Sequence, residues 1–430
     1  MKLIFCKILC SILLFSLFFS NVALAKDSKP NLKIAADGVV LMDSKTGKII
    51  YSKNPDKPYP PASTTKIMTA LLTLERGNLD DIVTIGRKPP LAEGSKIYIL
   101  EGEKIKVRDL LYGLLLASAN DCAEALAEYL SGSLENFSKD MNKRAKELGC
   151  TNTNFVNPSG LYNDKHRTSA RDLAIIMNEL VKQPEYSKIA TTLSYNIPPT
   201  NKSKEKRPLW NENKLIQKHS NFYYKGCEGG KTGYTVQSDH SYVASVNKNN
   251  HRIIVALVHD KEKNFFDDSV KLFNYGFNNF TLDLLYPKDS YVTTYTNDNL
   301  KVPLYASKDF YYLKPKDDNM APDLKLENTN LKNLKFKKGD VVLSANLSRG
   351  SNSVGSLTLK SGVDHESVNL FTNNVISKHL NTRNIILICL ASIFLTFKIT
   401  RKILRSKKTT INIIFNTKAM KYRFNNILIS

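Results

Sequence analysis

The sequence predicts an α+β domain in which strands from both ends of the domain share one sheet beside a helical cluster. A small β-sandwich domain and a C-terminal membrane helix are expected to follow. Three observations carry this reading. Strand-like runs open the chain, a long stretch of helical periodicity follows, and strands and one more helix then return before residue 280. From about Asp283 the composition shifts to short Val, Thr and Tyr runs separated by Asn, Asp, Pro and Gly. Finally, 430 residues with 42% hydrophobic content exceed what one ordinary core holds, so two domains are expected.

The first strands are Val39 to Asp43 and Lys48 to Tyr51, joined by a Ser-Lys-Thr-Gly turn that reads as a hairpin. Helical patterns run from Ser63 to Arg76, where Gly77 stops the helix, and then through Val107 to Leu116, Asp121 to Leu130, Leu134 to Leu148 and Ala170 to Val181. Gly149 and Ser169 suit caps for the last two. Strand signals resume at Gly230 to Thr235, Ser241 to Val246 and Arg252 to Val258, and a helix is expected from Asp267 to Tyr275. In the β-rich part, Tyr291 to Tyr295 and Gly339 to Leu343 are typical strand runs.

Both ends of the chain carry apolar runs. Lys2 and Lys7, the apolar stretch Ile8 to Phe19, and Ala23-Leu24-Ala25 follow the order of a secretory signal peptide, so residues 1–25 are expected to be removed on export. The second run, Ile385 to Phe397, falls short of the ~20 residues of a full span, but Ile399, Ile403 and Leu404 continue it past Lys398 and Arg401. Residues 385–404 therefore read as an anchor, with an amphipathic helix lying on the membrane surface as the alternative. From Lys398 to the end there are nine Lys or Arg residues and no Asp or Glu, which puts the tail, 405–430, in the cytoplasm and the body outside. A net charge of +22 would otherwise raise the question of nucleic acid. Export removes that partner, and the charge suits an anionic envelope instead. Of the six cysteines, Cys122, Cys150 and Cys227 lie in the exported part; their spacing is not a metal pattern, and buried free thiols are expected.

Ser63-Thr64-Thr65-Lys66 stands at a helix start, where side chains three apart share a face and the Ser lies near free backbone N–H groups. A Lys whose pKa is lowered by burial or a neighbouring cation can take the hydroxyl proton, making the Ser nucleophilic without His. Ser118-Ala119-Asn120 falls between two helices, where the Ser hydroxyl could relay a proton and the Asn amide could position Lys and substrate. A plain helix cap is the other reading of Asn120. Lys231-Thr232-Gly233 begins a strand, placing a cation and a hydroxyl beside a cleft, with Gly233 permitting close approach of a ligand. Each pattern alone is weak: Ser203 to Lys206, Ser-x-Asn at Ser52, Ser245, Ser344 and Ser367, and Lys45-Thr46-Gly47 repeat them in turns and loops. Their order and context together are selective.

Pro61 to Ala70, Asp109 to Leu115 before Ser118, and Gly229 to Thr235 together resemble the low-molecular-mass penicillin-binding proteins that are serine-type D-alanyl-D-alanine carboxypeptidases. Asn157 to Leu161 and Ser169 to Ala174 match them too. The resemblance is strong over residues 33–280 and looser over 283–370. It implies a β-lactamase/transpeptidase-like catalytic domain at 30–280 and a second domain at 283–372. It further implies removal of the terminal D-Ala from peptidoglycan stem peptides through an acyl-enzyme, with β-lactams as covalent inhibitors. On this basis Ser63 is the nucleophile, Lys66 the general base, Ser118 the proton relay and Asn120 the orienting amide, while Lys231 and Thr232 engage the substrate carboxylate. The N–H groups of Ser63 and Tyr234 should form an oxyanion hole, in which losing one donor costs ~3 kcal/mol. No metal or other cofactor is expected.

Two departures stand out: Ala119 replaces the family's usual Gly, and Phe265 replaces an Arg that helps bind the substrate carboxylate in many relatives, so that contact is either missing or supplied by Lys261 or Lys263. A class A β-lactamase would share the three motifs. It also needs a Glu with an Asn four residues on, and no Glu between Asn120 and Lys231 has one. A non-catalytic β-lactam sensor or wall-binding protein is the remaining alternative, and the intact Ser, Lys, Ser, Asn and Lys set argues against it. The seven His residues show no His-Glu-x-x-His zinc pattern, and His166 and His240 are expected to be structural.

Overall fold

The computed structural model describes residues 32–366, 387 and 390–402. The expected signal segment and the 405–430 tail lie outside them. The chain divides into two compact units: one holds the residues up to 285 together with 310–321, the other 286–309 and the residues from 322 on.

The first unit is built on a five-stranded antiparallel sheet in the order β2-β1-β9-β8-β7, formed by β1 (Gly38–Asp43), β2 (Ile49–Lys53), β7 (Cys227–Thr235), β8 (Asp239–Lys248) and β9 (His251–Asp260). Strands from the two ends of the domain thus pair directly, Val40 opposite Ala256. The central strands bury both faces, and the two-residue side-chain period divides them between two cores. Val40, Met42, Val243, Ile254, Ala256 and Val258 join the helical cluster on one side. Val39, Leu41, Tyr242, Ala244, Val255 and Leu257 meet Phe266, Leu272 and Phe273 of the last helix on the other.

That cluster comprises α1 (Lys66–Arg76), α2 (Val107–Leu116), α3 (Asn120–Ser131), α4 (Leu134–Glu147), α5 (Ala170–Leu180) and α6 (Pro184–Ala190), and α7 (Phe265–Asn279) covers the opposite face. Helix α1 runs through the middle, with every residue from Lys66 to Thr73 buried. Such a helix must satisfy its polar side chains internally: Thr73 Oγ1 donates to its own helix at Thr69 O (2.7 Å), and Thr69 Oγ1 donates to Pro158 O (2.6 Å). Gly77 ends α1, and Ser133 and Ser169 cap α4 and α5 by accepting from Asn136 N and Asp172 N, each at 3.1 Å. Gly149, in the left-handed region at φ +87°, follows α4 as expected. Cys122 and Cys150 are buried free thiols; Cys227 is free but only half-buried.

Two small hairpins, β3 (Ile82–Thr84) with β4 (Lys104–Lys106) and β5 (Ser194–Ile197) with β6 (Arg207–Trp210), complete the helical side. Separately, β10 (Phe280–Tyr286) pairs with β13 (Phe310–Pro315).

In the second unit β11 (Tyr291–Asn297), β12 (Leu300–Ala306), β14 (Asp323–Leu326), β15 (Val341–Arg349) and β16 (Asn352–Ser361) form one antiparallel sheet in the order β11-β12-β16-β15-β14. Its inward positions alternate along the strands, with Val302, Leu304 and Ala306, then Leu343, Ala345 and Leu347, buried. Residues 390–402 are helical, and no helix among the described residues is long and apolar enough to cross a membrane.

Candidate active site

Ser63 sits in a 3-10 turn, Ala62–Thr65, that runs into α1. The turn is entered through Ala62 at φ +49°, a conformation costly for a residue with a Cβ and held by its surroundings. Two glycines let those surroundings close in. A Cβ on Gly160 (φ +85°) would come within 1.8 Å of Ala62 O, and one on Gly233 within 2.9 Å of both Pro61 O and Ser63 N. The role expected for Gly233 was close approach of a ligand. It lines the cleft, and its nearest neighbour is the backbone that carries Ser63. The Lys231-Thr232-Gly233 run also lies in the middle of β7 rather than at its start, because pairing with β8 already begins at Cys227.

Lys66 is the first residue of α1 and is fully buried. Its Nζ is 2.8 Å from Ser63 Oγ, 2.6 Å from Asn120 Oδ1 and 2.8 Å from Ser159 O. Three donors meet three acceptors, so the ammonium is saturated. Burial, and behind it the Lys231 cation, hold Lys66 well below the ordinary lysine range. In the neutral amine, the two carbonyl oxygens can only accept and so keep the two N–H groups, which turns the lone pair toward the Ser63 hydroxyl.

Asn120 is not a helix cap. Ala119 takes that position in α3 without a side-chain bond, and Asn120 sends Oδ1 to Lys66 and Nδ2 to Glu93 O (2.5 Å). Ser118, at φ +58° and 5% exposed, opens onto the cleft but is not among the partners of Lys66. Behind the Ser63 turn, His166 is buried as expected of a structural histidine. Val156 N donates to its Nδ1 (3.1 Å), leaving Nε2–H to donate to Thr65 Oγ1 (2.9 Å). Burial, with Arg167 nearby, lowers its pKa to about 4, so the ring is neutral near pH 7.

The opposite wall is edge strand β7. Lys231 is buried, and its Nζ donates to Thr232 O at 2.9 Å and meets Thr232 Oγ1 at 3.5 Å. Burial brings its pKa down to about 8, against the opposing pull of Glu212. Thr232 Oγ1 in turn donates to Glu212 Oε2 (3.1 Å). Between the walls lies a cleft of about 650 Å³ lined by Ser63, Ser118, Thr232, Gly233, Tyr234 and Lys263 among others. Phe265 also lines it and packs on Phe266 and Tyr242, so an apolar ring stands in place of the Arg of many relatives. Lys263 faces the cleft and Lys261 does not line it. His240, expected to be structural, lines the cleft as well and stacks on Tyr234 at 4.4 Å.

The structure therefore brings together Ser63, Lys66 and Asn120 by hydrogen bonds, and Ser118, Thr232, Gly233 and Tyr234 around one cleft. Sequence reasoning missed the Ser159 carbonyl and Glu212. The first had a signal in Asn157-Pro158-Ser159-Gly160, where Asn157 Oδ1 accepts from Ser159 N (3.2 Å) and Gly160 N (2.7 Å) to fold a tight turn. Glu212 had none, because nothing local marks which loop residue reaches β7.

A buried lysine against a serine at a helix start, facing an edge strand that carries a second lysine, is the arrangement of an active-site-serine enzyme. The D-alanyl-D-alanine carboxypeptidase family model matches residues 24–262, and the model of the penicillin-binding protein 5 C-terminal domain matches 280–367. The chain belongs to the D-alanyl-D-alanine carboxypeptidase family. It is 34% identical over 374 residues to the D-alanyl-D-alanine carboxypeptidase DacF of Bacillus subtilis, covering 84% of this chain and 90% of the relative. With Escherichia coli DacC it shares 31% identity over 291 residues, 64% of this chain and 70% of that one. Among solved structures, penicillin-binding protein 5 of Haemophilus influenzae superimposes with a TM-score of 0.67 at 31% identity, over 77% of this chain and 98% of the other.

Proposed function

We propose that the chain removes the terminal D-Ala from peptidoglycan stem pentapeptides through an acyl-enzyme on Ser63, and that β-lactams acylate the same oxygen. In this reading neutral Lys66 takes the Ser63 proton as Oγ attacks the penultimate D-Ala carbonyl. The N–H groups of Ser63 and Tyr234 hold the oxyanion, and Ser118 carries the proton to the departing D-Ala amine. Asn120 keeps Lys66 in place. Lys231 and Thr232 take the substrate carboxylate. Water then attacks the ester, giving one proton through Lys66 to the departing Ser63 Oγ, and the carboxylate product leaves. The observation that carries the proposal is the pair of carbonyl acceptors on Lys66, which leaves its third position for Ser63 Oγ at 2.8 Å.

The test is D-alanine release from a diacyl-Lys-D-Ala-D-Ala peptide by the full chain in detergent, with fluorescent penicillin labelling in parallel. Both are expected, and both vanish in Ser63→Ala. Absence of both in folded wild-type protein overturns the reading.

We further infer that residues 1–25 direct export and that 385–404 anchor the chain, which puts a catalytic domain at 30–280 and a small β-rich domain at 283–372 on the outer face of the cell membrane. What supports this is the apolar runs and the basic 405–430 tail. Fractionation is expected to leave the full chain in membranes after an alkaline wash and to release a chain ending at residue 376; release of both removes the anchor.

A further inference from the structure

We infer that Glu212 is a specificity-determining residue: in the free enzyme its carboxylate occupies the Thr232 hydroxyl that a substrate's terminal carboxylate must take, and so sets how well the site accepts an anionic leaving group. The inference rests on the acyl-transfer reading above and names the charge class that the leaving-group side of the cleft selects.

Glu212 does not reach Thr232 by chance of a mobile loop. It is flanked by Asn211 and Asn213, both buried. Asn211 Nδ2 donates to Ala190 O and Thr192 O, both at 2.9 Å, and its Oδ1 accepts from Asn213 N (2.9 Å). Asn213 Oδ1 accepts from Leu215 N (3.1 Å) and from the buried Tyr242 hydroxyl (2.7 Å). The backbone on either side is thereby tied to α6, to the loop after it and to β8. The one exposed residue of the three faces the cleft, and its Oε2 accepts from Thr232 Oγ1 at 3.1 Å.

A carboxylate at that hydroxyl is the chemistry the site offers an incoming substrate, supplied here by the chain itself. An entering carboxylate must break the Thr232–Glu212 bond and then sit beside a like charge, which opposes binding. The cleft offers little to offset this: an apolar Phe265 ring stands at one side, and Lys263 is the added cation. Because Glu212 is exposed, water and salt screen the repulsion, and the effect is moderate rather than absolute. A neutral leaving group meets no such opposition.

The experiment compares acylation of the full chain by benzylpenicillin, which carries a free carboxylate, with acylation by its methyl ester, and sets wild type beside Glu212→Gln and Glu212→Lys. Glutamine keeps an acceptor for Thr232 and removes the charge. The ratio of acid to ester acylation rates is expected to rise about tenfold in E212Q and further in E212K, with KM for diacyl-Lys-D-Ala-D-Ala falling about tenfold in E212Q. High salt should narrow the difference between wild type and E212Q. A ratio that stays the same in both variants, or rates that change in parallel for acid and ester, overturns the role of Glu212 while leaving the acyl-transfer reading intact. No Ser63-dependent acylation by either compound in wild type overturns both.

Discussion

The two walls of the cleft are built on opposite plans. On the helical wall every contact of Lys66 is short, its acceptors are carbonyl oxygens and a hydroxyl fixed by folded elements, and the donor and acceptor counts match. On the β7 wall the Lys231 ammonium bonds, among the described residues, only to the next one, Thr232 is half-buried, and Glu212 and Tyr234 are exposed. The first wall is preorganised: nothing in it must move for a proton to pass from Ser63 to Lys66. The second is adjustable, since a ligand can displace Glu212 without disturbing the core. On the proposed reading, chemistry is thus placed where the fold is most constrained, and selectivity where a single exposed side chain can change it.

The sharpest way to break that contrast is on the helical wall. Lys66→Met, which keeps an unbranched side chain and removes the base, should lower penicillin acylation by about 10²–10⁴-fold. Acylation within tenfold of wild type would mean that the saturated wall is structural and that another base acts. The next largest effect concerns the turn itself. Gly160→Ala adds a Cβ at φ +85° facing Ala62 O and should cost about 3 kcal/mol or more in urea unfolding, with loss of labelling. Gly149→Ala, at φ +87° with nothing near its Cβ, should cost only about 1 kcal/mol and leave labelling in place. Equal costs would show that the Ser63 turn is not held by close backbone contact.

His166 tests the same wall through pH. Its folded pKa of about 4 lies below the ordinary 6.5, so the unfolded chain binds the extra proton and stability falls as pH drops from 6.5 toward 4, by about 3 kcal/mol in all. His166→Gln, compared by unfolding at pH 7 and pH 4.5, should lose most of that acid limb. An undiminished limb would assign the acid sensitivity to other groups.

How much of this was legible in the sequence follows from the same contrast. Helices α1 to α5 and strands β7 to β9 announce themselves through apolar periodicity, Gly77, Gly149 and Ser169, because local chemistry and burial agree there. Ser63, Lys66, Asn120 and Lys231 were found because the motif around each is contiguous. What escaped depends on distant contacts. Hairpins β3–β4 and β5–β6 have three or four residues per strand, too few to show a period. Asn120 resembles a cap until Lys66 and Glu93 claim its side chain. Ser159 contributes a main-chain oxygen, which no residue type reveals. Glu212 becomes visible only when the loop after β6 is seen against β7. The left-handed φ of Ala62 and Ser118 is likewise imposed by packing rather than by the residues themselves.

The smallest effect is expected on the β7 wall and concerns Lys231. With its pKa at about 8, held there mainly by burial, the ammonium that would receive the substrate carboxylate is largely present at pH 7 and is lost as pH rises through 8. KM for the D-Ala-D-Ala peptide should therefore climb above pH 8, approaching tenfold per pH unit, while Lys66, held well below the ordinary lysine range by burial, keeps acylation running. Glu212 opposes the loss of the Lys231 proton, so E212Q should move the alkaline limb to lower pH even as it lowers KM near pH 7. The lower Lys231 pKa thus narrows at pH 9 the KM gain that E212Q shows at pH 7, and both changes arise from one charge. A profile in which E212Q shifts KM equally at both pH values would separate Glu212 from Lys231, and the open wall would then be two independent contacts rather than one coupled site.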